Sequence, residues 1–390
     1  MPIPEINTVC FVGAGTMGCY NALAAAVSGY DVVLYDANAN SLERVPQVLD
    51  DMAAMLVGGG YCSDEDIEQG LARTRTSDDL ADATRNADLV SESVFEDLQL
   101  KRNVHASLDQ CCPPRTLLTS NSSGLLVSEI EDAVDRGDRF AALHSHLGSP
   151  LVDIVPGPRT SEKTLDVLNR YVLSIRSEPL LLRKENPGYI LNAILMPAAG
   201  AALALHVRGS YSIEAIDAAW ISSQKAMMGP FGMMDFFGLS LVRDTWRHRD
   251  RDDALQDDRS EILALLEPML AEEKGGVKNG AGFYTYPEPG YQRPGFVADA
   301  FDAGAAQLLD AIVIAYGLTI AVNDVASAED IDRAWCLGMG VPRGPFQILA
   351  DKGGDNAQQA VEQLVTLNLL TEHQAIPVLD LIKRSMAKAE

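Results

Sequence analysis

Basic residues are scarce in this 390-residue chain: 31 Lys and Arg stand against 55 Asp and Glu, for a formal charge of −24. The acids are spread along the sequence, as in Ser63-Asp-Glu-Asp66 and Asp250-Arg-Asp-Asp253, and no basic tract interrupts them. A chain of this sign repels phosphate backbones and anionic headgroups, which argues against nucleic acid and membrane surfaces as partners. No run of 18 apolar residues is present to span a bilayer, and the N-terminus lacks the basic start, apolar stretch and small-residue cleavage site of a secretory leader. These absences predict a cytoplasmic protein. The six cysteines show no metal-ligand spacing, so no metal site is expected; the pair Cys111-Cys112, before Pro113-Pro114, reads as a helix end rather than a redox element.

What is present is apolar material for two or three domains, with 47% hydrophobic residues. Gly13-Ala-Gly-Thr-Met-Gly18 lies between the apolar run Val9-Cys-Phe-Val12 and an Ala-rich stretch from Asn21 to Val27. The pattern reads as strand, tight turn and helix, where a dinucleotide pyrophosphate sits against the helix N-terminus. Gly13 serves the turn, Gly15 lets backbone approach the phosphates, Gly18 lets the helix pack on the sheet, and Thr16 and Met17 complete the contact segment. A second apolar run, Asp31-Val-Val-Leu-Tyr35, ends in Asp36, 18 residues beyond Gly18. A carboxylate there accepts from an adenosine ribose and repels a 2′-phosphate, so the expected cofactor is NAD rather than NADP.

Residues 1–184 alternate short apolar strands with helices, as a parallel sheet requires: Val9–Val12, Val32–Tyr35, Leu89–Ser93, Leu117–Thr119, Phe140–Leu143, Val152–Val155 and Leu180–Leu182. After Asn186-Pro-Gly188 the chain becomes Ala/Leu/Met-rich with helical spacing. It also repeats itself: Ile216-Asp-Ala-Ala-Trp220 and Met228-Gly-Pro-Phe231 recur 115 residues on as Ile331-Asp-Arg-Ala-Trp335 and Arg343-Gly-Pro-Phe346. Pro187-Gly-Tyr189 matches Pro294-Gly-Phe296 at an offset of 107, which gives the second copy about eight extra residues and pairs Asn192 with Asp299. The Pro-rich segment Tyr286–Pro294 reads as a linker. The expected domains are therefore 1–184, 185–286 and 287–390.

Together, the glycine turn with Met17, Glu92-Ser-Val-Phe-Glu96 with Lys101, Ser120-Asn-Ser-Ser123, Leu143-His-Ser-His146, Leu151-Val-Asp-Ile-Val155, Pro187-Gly-Tyr-Ile-Leu-Asn192, Met228-Gly-Pro-Phe231 and Lys278-Asn-Gly-Ala-Gly-Phe-Tyr284 resemble the L-3-hydroxyacyl-CoA dehydrogenases, a group that includes gulonate and carnitine dehydrogenases. The resemblance spans nearly the whole chain. It implies an α/β Rossmann domain followed by two tandem all-α domains of the 6-phosphogluconate-dehydrogenase C-terminal type. Oxidising a secondary alcohol needs a base near the hydroxyl, a group to hold that base's protonated form, and donors for the oxygen as it becomes a carbonyl. The resemblance assigns these roles to His144, to Asp153, and to Ser123 with Asn192. His146 is a competing base, but the 21-residue spacing from Ser123 to His144 is the family's. Glu96, Lys101 and Lys278 resemble the family's cofactor contacts.

Three departures bear on the substrate. Where the family has His-aromatic-aromatic-Asn-Pro, this chain reads His144-Ser-His-Leu-Gly-Ser-Pro150, and its carboxylate is an Asp reached about three residues sooner. No Lys lies in 38–57, where coenzyme A-binding members carry them; Arg44 stands alone. The run Arg243-Asp-Thr-Trp-Arg-His-Arg-Asp-Arg251 could supply charge or be a solvated helix end. The second copy lacks the catalytic Asn and is expected to be structural, giving a monomer with pseudo-dimeric helical domains, or else a homodimer. The leading expectation is NAD-dependent oxidation of a 3-hydroxyacyl thioester, most simply CoA-linked. The same chemistry on a carrier-protein-bound or free polar 3-hydroxy acid stays open, as does a non-catalytic NAD-binding protein.

Overall fold

A computed structural model describes residues 1–247 and 254–386. The chain divides into two compact units, Met1–Tyr189 and Ile190–Glu390. The first holds one sheet of eight strands: β1 (Thr8–Val12), β2 (Asp31–Tyr35), β3 (Thr74–Ser77), β4 (Leu89–Glu92), β5 (Leu117–Ser120), β6 (Phe140–Ser145), β7 (Leu151–Pro156) and β8 (Glu178–Leu181). They lie in the order β3-β2-β1-β4-β5-β6-β7-β8. Helices cover a parallel sheet on both faces, and every residue of β4 and β5 is buried, the polar Ser91, Glu92, Thr119 and Ser120 included. Strand order reverses between β1 and β4, and the crevice at the carboxyl ends of those strands is where such sheets bind ligands.

Two features differ from the expected seven-stranded parallel sheet. The edge strand β3, Thr74-Arg-Thr-Ser77, carries no apolar residue and so leaves no hydrophobic signal. β7 runs antiparallel to β6, since the short turn from His146 to Pro150 is too brief for a parallel crossover. The helix Leu98–Cys111 ends with Cys112 as its cap, and all six cysteines are free thiols.

In the second unit the repeat has a physical cause. Asp217, on helix Ile213–Gln224, accepts hydrogen bonds from the backbone N–H of Phe231 (2.9 Å) and Gly232 (3.1 Å), satisfying the open N-terminus of helix Pro230–Phe237. Asp332, on helix Ala328–Met339, does the same for Phe346 (2.7 Å) and Gln347 (3.1 Å) at the start of helix Pro345–Lys352. A Cβ at Gly229 or Gly344 would strike the capping Asp, which explains the Gly that opens each Gly-Pro-Phe segment. Trp220 and Trp335, both wholly buried, meet edge to face with ring centroids 6.1 Å apart.

Helix register revises the pairing of the copies further upstream. Helices Leu191–Val207 and Ala303–Val322 end at Arg208 and Asn323, and the positive-φ residues Gly209 and Asp324 follow them, again 115 positions apart. At that offset Asn192 corresponds to Gln307, not Asp299; Asp299 falls in a separate short helix, Phe296–Ala300, and the extra residues lie there. Helix Ala303–Val322 is long and apolar enough to cross a bilayer by length and composition, a property hidden from a search for unbroken apolar runs by Gln307 and Asp310. Here 72% of its apolar window is buried inside the unit. The Pro-rich segment is not an open linker: Tyr291 is buried and packs edge to face on Tyr284, centroids 5.0 Å apart.

Candidate active site

The glycine turn joins β1 to the helix α1 (Thr16–Val27). Gly13 has φ +102° and donates to the Tyr35 carbonyl at 2.8 Å, and a Cβ there would lie 2.7 Å from the Ser93 carbonyl oxygen. A Cβ at Gly18 would run into the Gly13 carbonyl, whereas one at Gly15 would meet nothing within 4 Å. No side chain caps α1, and Gly15 and Thr16 are exposed while Met17 is partly so. Asp36, at the tip of β2, accepts from Ala14 N–H (2.9 Å) and Asn38 N–H (2.8 Å), so its carboxylate is fixed beside the turn. An uncapped, uncrowded helix N-terminus next to an anchored carboxylate fits the pyrophosphate and ribose of a dinucleotide.

Past the end of β4 lies a buried charge network. Glu92 accepts from Lys101 Nζ (2.8 Å), His105 Nε2 (3.2 Å), Ser120 Oγ (2.7 Å) and Val94 N–H (2.7 Å). Burial alone would raise its carboxyl; His105 and Lys101 outweigh that and hold it at about 2. Lys101 is therefore only 1% exposed, with its ammonium on Glu92 and, at 3.4 Å, on Glu96. Glu96 reaches across to the loop after β5, accepting from Ser122 Oγ and from the N–H groups of Ser123 and Gly124, both at 3.0 Å. Glu96, Lys101 and Ser123 are thus brought together, with the Ser123 side chain exposed.

His144 and Asp153 face each other directly in the β6–β7 ladder. His144 Nδ1 lies 2.9 Å from Asp153 Oδ2, and His146 Nε2 lies 2.9 Å from the same oxygen. Burial would raise the Asp153 carboxyl, but the hydrogen bonds from His144 and His146 prevail and hold it at about 2. An ionised carboxylate only accepts, so both ring nitrogens facing it carry protons, and His144 keeps Nε2 as its basic nitrogen. Burial pulls the His144 imidazole below its usual pKa, against the opposing pull of Asp153. The buried Tyr189 ring packs on His144 with centroids 5.4 Å apart, and its hydroxyl has no partner among the described residues.

Ligand atoms of His144, His146 and Asp153 lie within 4.8 Å of one another, a metal-compatible cluster that cysteine spacing could not reveal. Here those atoms are engaged in hydrogen bonds to one another. In the second unit, Asn192 is half-buried in the first turn of helix Leu191–Val207, and Lys278 is exposed in the turn Val277–Asn279. Arg44 is exposed and bonds the Asn40 carbonyl. Of the basic run, Arg243 pairs with Asp244 and Arg247 with Glu267, and residues 248–251 lie outside the described residues. Sequence reasoning gave Glu92, His105 and Tyr189 no role and set His146 aside. A Glu closing the apolar strand Leu89–Glu92 was the available signal for the first.

The pattern of the 3-hydroxyacyl-CoA dehydrogenase NAD-binding domain matches residues 8–186, and that of the same family's C-terminal domain matches residues 188–286. Mitochondrial hydroxyacyl-coenzyme A dehydrogenase of Rattus norvegicus is 32% identical over 292 residues, covering 72% of this chain and 91% of the rat protein. A solved diketoreductase, described as acting on dicarbonyl compounds, is 31% identical with a TM-score of 0.67, covering 73% of this chain and 100% of its own. The 3-hydroxybutyryl-CoA dehydrogenase of Escherichia coli K12 is 22% identical, but shares the fold over 98% of this chain and 99% of its own with a TM-score of 0.80. With both domain patterns matched in chain order around a dinucleotide turn, the chain belongs to the 3-hydroxyacyl-CoA dehydrogenase family and is an NAD-dependent oxidoreductase.

Proposed function

We propose that the protein interconverts a 3-hydroxyacyl thioester, with coenzyme A as the leading carrier, and its 3-oxoacyl form, using His144 as general acid and base. The observation that carries this reading is the His144 Nδ1 contact of 2.9 Å to a buried, ionised Asp153, which leaves Nε2 to take a proton. NAD, when bound, would supply the acceptor for the hydride of the carbinol C–H. As that C–H pair departs, His144 Nε2 takes the hydroxyl proton and Asp153 stabilises the imidazolium. Ser123 and Asn192 donate to the substrate oxygen as it gains carbonyl character. The uncapped N-terminus of α1, with Gly13, Gly15, Thr16, Met17 and Gly18, would hold the pyrophosphate, and Asp36 would hold the ribose. Glu96, backed by Lys101, and Lys278 complete the cofactor contacts.

A second reading changes the carrier to an acyl carrier protein or a free polar 3-hydroxy acid. It is favoured by the absence of Lys from 38–57 and by the ion pairs that engage Arg243 and Arg247. NADH formation with a panel of 3-hydroxyacyl-CoAs, carrier-protein conjugates and free 3-hydroxy acids separates the two. His144→Ala should abolish turnover and leave NAD affinity nearly intact; loss after His146→Ala alone would transfer the role.

We also read the helical unit as two tandem domains, near 185–286 and 287–390, the second taking the place of a partner subunit so that the monomer carries one active site. The equivalent Asp217 and Asp332 caps and the Asn192-to-Gln307 replacement support this. Light scattering that finds a tight dimer through the second copy would overturn it.

A further inference from the structure

His146 has no role in the chemistry above, yet it is bonded to the same carboxylate as His144. Its Nε2 lies 2.9 Å from Asp153 Oδ2, the same oxygen and the same distance as His144 Nδ1, and the two rings meet edge to face with centroids 4.4 Å apart. Asp153 Oδ1 is buried and has no partner among the described residues. One carboxylate oxygen therefore serves two imidazoles while the other serves none. Were the carboxylate free to turn, it would share its oxygens between the rings; two N–H donors converging on Oδ2 hold it in one orientation.

We propose that His146 is a positioning residue for the reaction: by donating Nε2–H to Asp153 Oδ2 it fixes the carboxylate against His144 and divides the hydrogen-bonding capacity that would otherwise go to His144 alone. The inference rests on the reading of His144 as the base. Its consequence is a less basic His144. An acceptor shared between two donors binds each more weakly, so the imidazolium of His144 gains less from Asp153 than in an isolated pair. The electrostatic effect of His146 on the His144 ring pushes in the same direction. The groups around the His144 ring are Asp153 on β7, His146 in the turn beyond β6, Glu96 in the loop beyond β4, and the Tyr189 ring; Asp153 and Glu96 favour the imidazolium, and His146 opposes it. A base held low stays unprotonated into mildly acidic solution, where a carboxylate dyad without the second ring would already be protonated.

The test needs a readout that does not depend on turnover. Histidine ring resonances titrated by NMR in the full chain give the His144 midpoint, assigned through His144→Gln. His146→Phe keeps a ring in the space and removes the donor; the His144 midpoint should rise by about one pH unit. His146→Gln places an amide nitrogen where Nε2 stood, the same number of bonds from the backbone, and should return the midpoint most of the way. The acidic limb of kcat/KM for alcohol oxidation should move with it. An unmoved midpoint in a folded His146→Phe protein overturns the inference, and so does a Gln variant that behaves like Phe. Absence of turnover by the wild-type enzyme with every substrate would sink the dehydrogenase reading, and the titration would still decide the role of His146.

Discussion

Replacing Asp153 by Asn separates what the carboxylate does by charge from what it does by shape. Asn has one acceptor oxygen and a two-donor nitrogen, and the site asks for one acceptor facing two N–H groups. If the amide oxygen takes the Oδ2 position, both imidazoles keep their partners, but the NH2 replaces Oδ1, which is buried among groups that offer it no bond. That orphaned donor costs about 1–3 kcal/mol of stability. The catalytic loss is the attraction between imidazolium and carboxylate. With charge centres roughly 4 Å apart and an effective dielectric of about 20, it is about 4 kcal/mol, or about a thousandfold in rate. If the amide flips, its NH2 faces both rings, His144 Nδ1 must become an acceptor, and the proton moves to Nε2, where the base is needed. That orientation costs about ten-thousandfold, the size expected when a catalytic imidazole is held in the wrong tautomer. Asp153→Asn should therefore lower kcat by about 10³ to 10⁴ with KM for NAD unchanged, measured by NADH formation on a preparation shown to be folded by circular dichroism. A loss below about tenfold would refute the dyad, because a wholly buried partner charge cannot be worth so little.

Other consequences follow from the same contacts. Glu92→Gln removes the nearest counter-charge of the buried Lys101 ammonium and should cost about 3–5 kcal/mol in urea unfolding, while Glu92→Gln with Lys101→Met should recover most of it; equal losses would show that the pair is not coupled. Because the Glu92 carboxyl sits at about 2 in the folded chain against 4.5 otherwise, its stabilisation is complete above pH 4.5 and is lost as pH falls toward 2, so the stability gap between wild type and Glu92→Gln should be constant above pH 4.5 and narrow below it. Asp36→Ala frees the Ala14 and Asn38 amides and removes the ribose acceptor; calorimetry should find NAD affinity reduced by about tenfold or more and discrimination against NADP relaxed. Asp217→Ala should cost about 3 kcal/mol and Asp332→Ala about 1 kcal/mol, since Asp217 is wholly buried and also accepts from Tyr284 while Asp332 is half-buried.

The parts of this molecule legible in its sequence are those whose physics is local. The dinucleotide turn was legible because the positive φ of Gly13 and the close approach at Gly18 are demands made within a few residues, and glycine alone meets them. The Asp217 and Asp332 caps are medium-range, and they surfaced as a repeat whose reason became visible only when the backbone showed Asp reaching the Gly-Pro-Phe helix start. β3 left no trace because an edge strand can be stabilised by its ladder to β2 without contributing an apolar side chain to the core. Glu92, Lys101 and His105 meet through the turn from β4 into helix Leu98–Cys111, and a charge cluster of that kind has no periodicity to announce it.

The sequence named Asp153 but left its geometry toward His144 open, and the antiparallel turn accounts for that geometry. A shorter side chain on a shorter connection looks like a broken dyad if β6 and β7 are taken as parallel neighbours, because the return path is then unspecified. Once the five residues from His146 to Pro150 are seen as the turn between antiparallel strands, the register follows, and Asp153 stands directly opposite His144. Directly opposed residues have Cβ atoms about 5 Å apart, a gap that an Asp spans to an imidazole and that a Glu would overshoot. The same count explains His146. It lies two positions beyond His144, so a chain that stays extended past the end of β6 sends both rings to one side of the sheet, and both reach the carboxylate returning across from them. The tight turn brings the carboxylate under the strand end, where an Asp reaches His144 and the second imidazole of His146 comes within reach of the same oxygen.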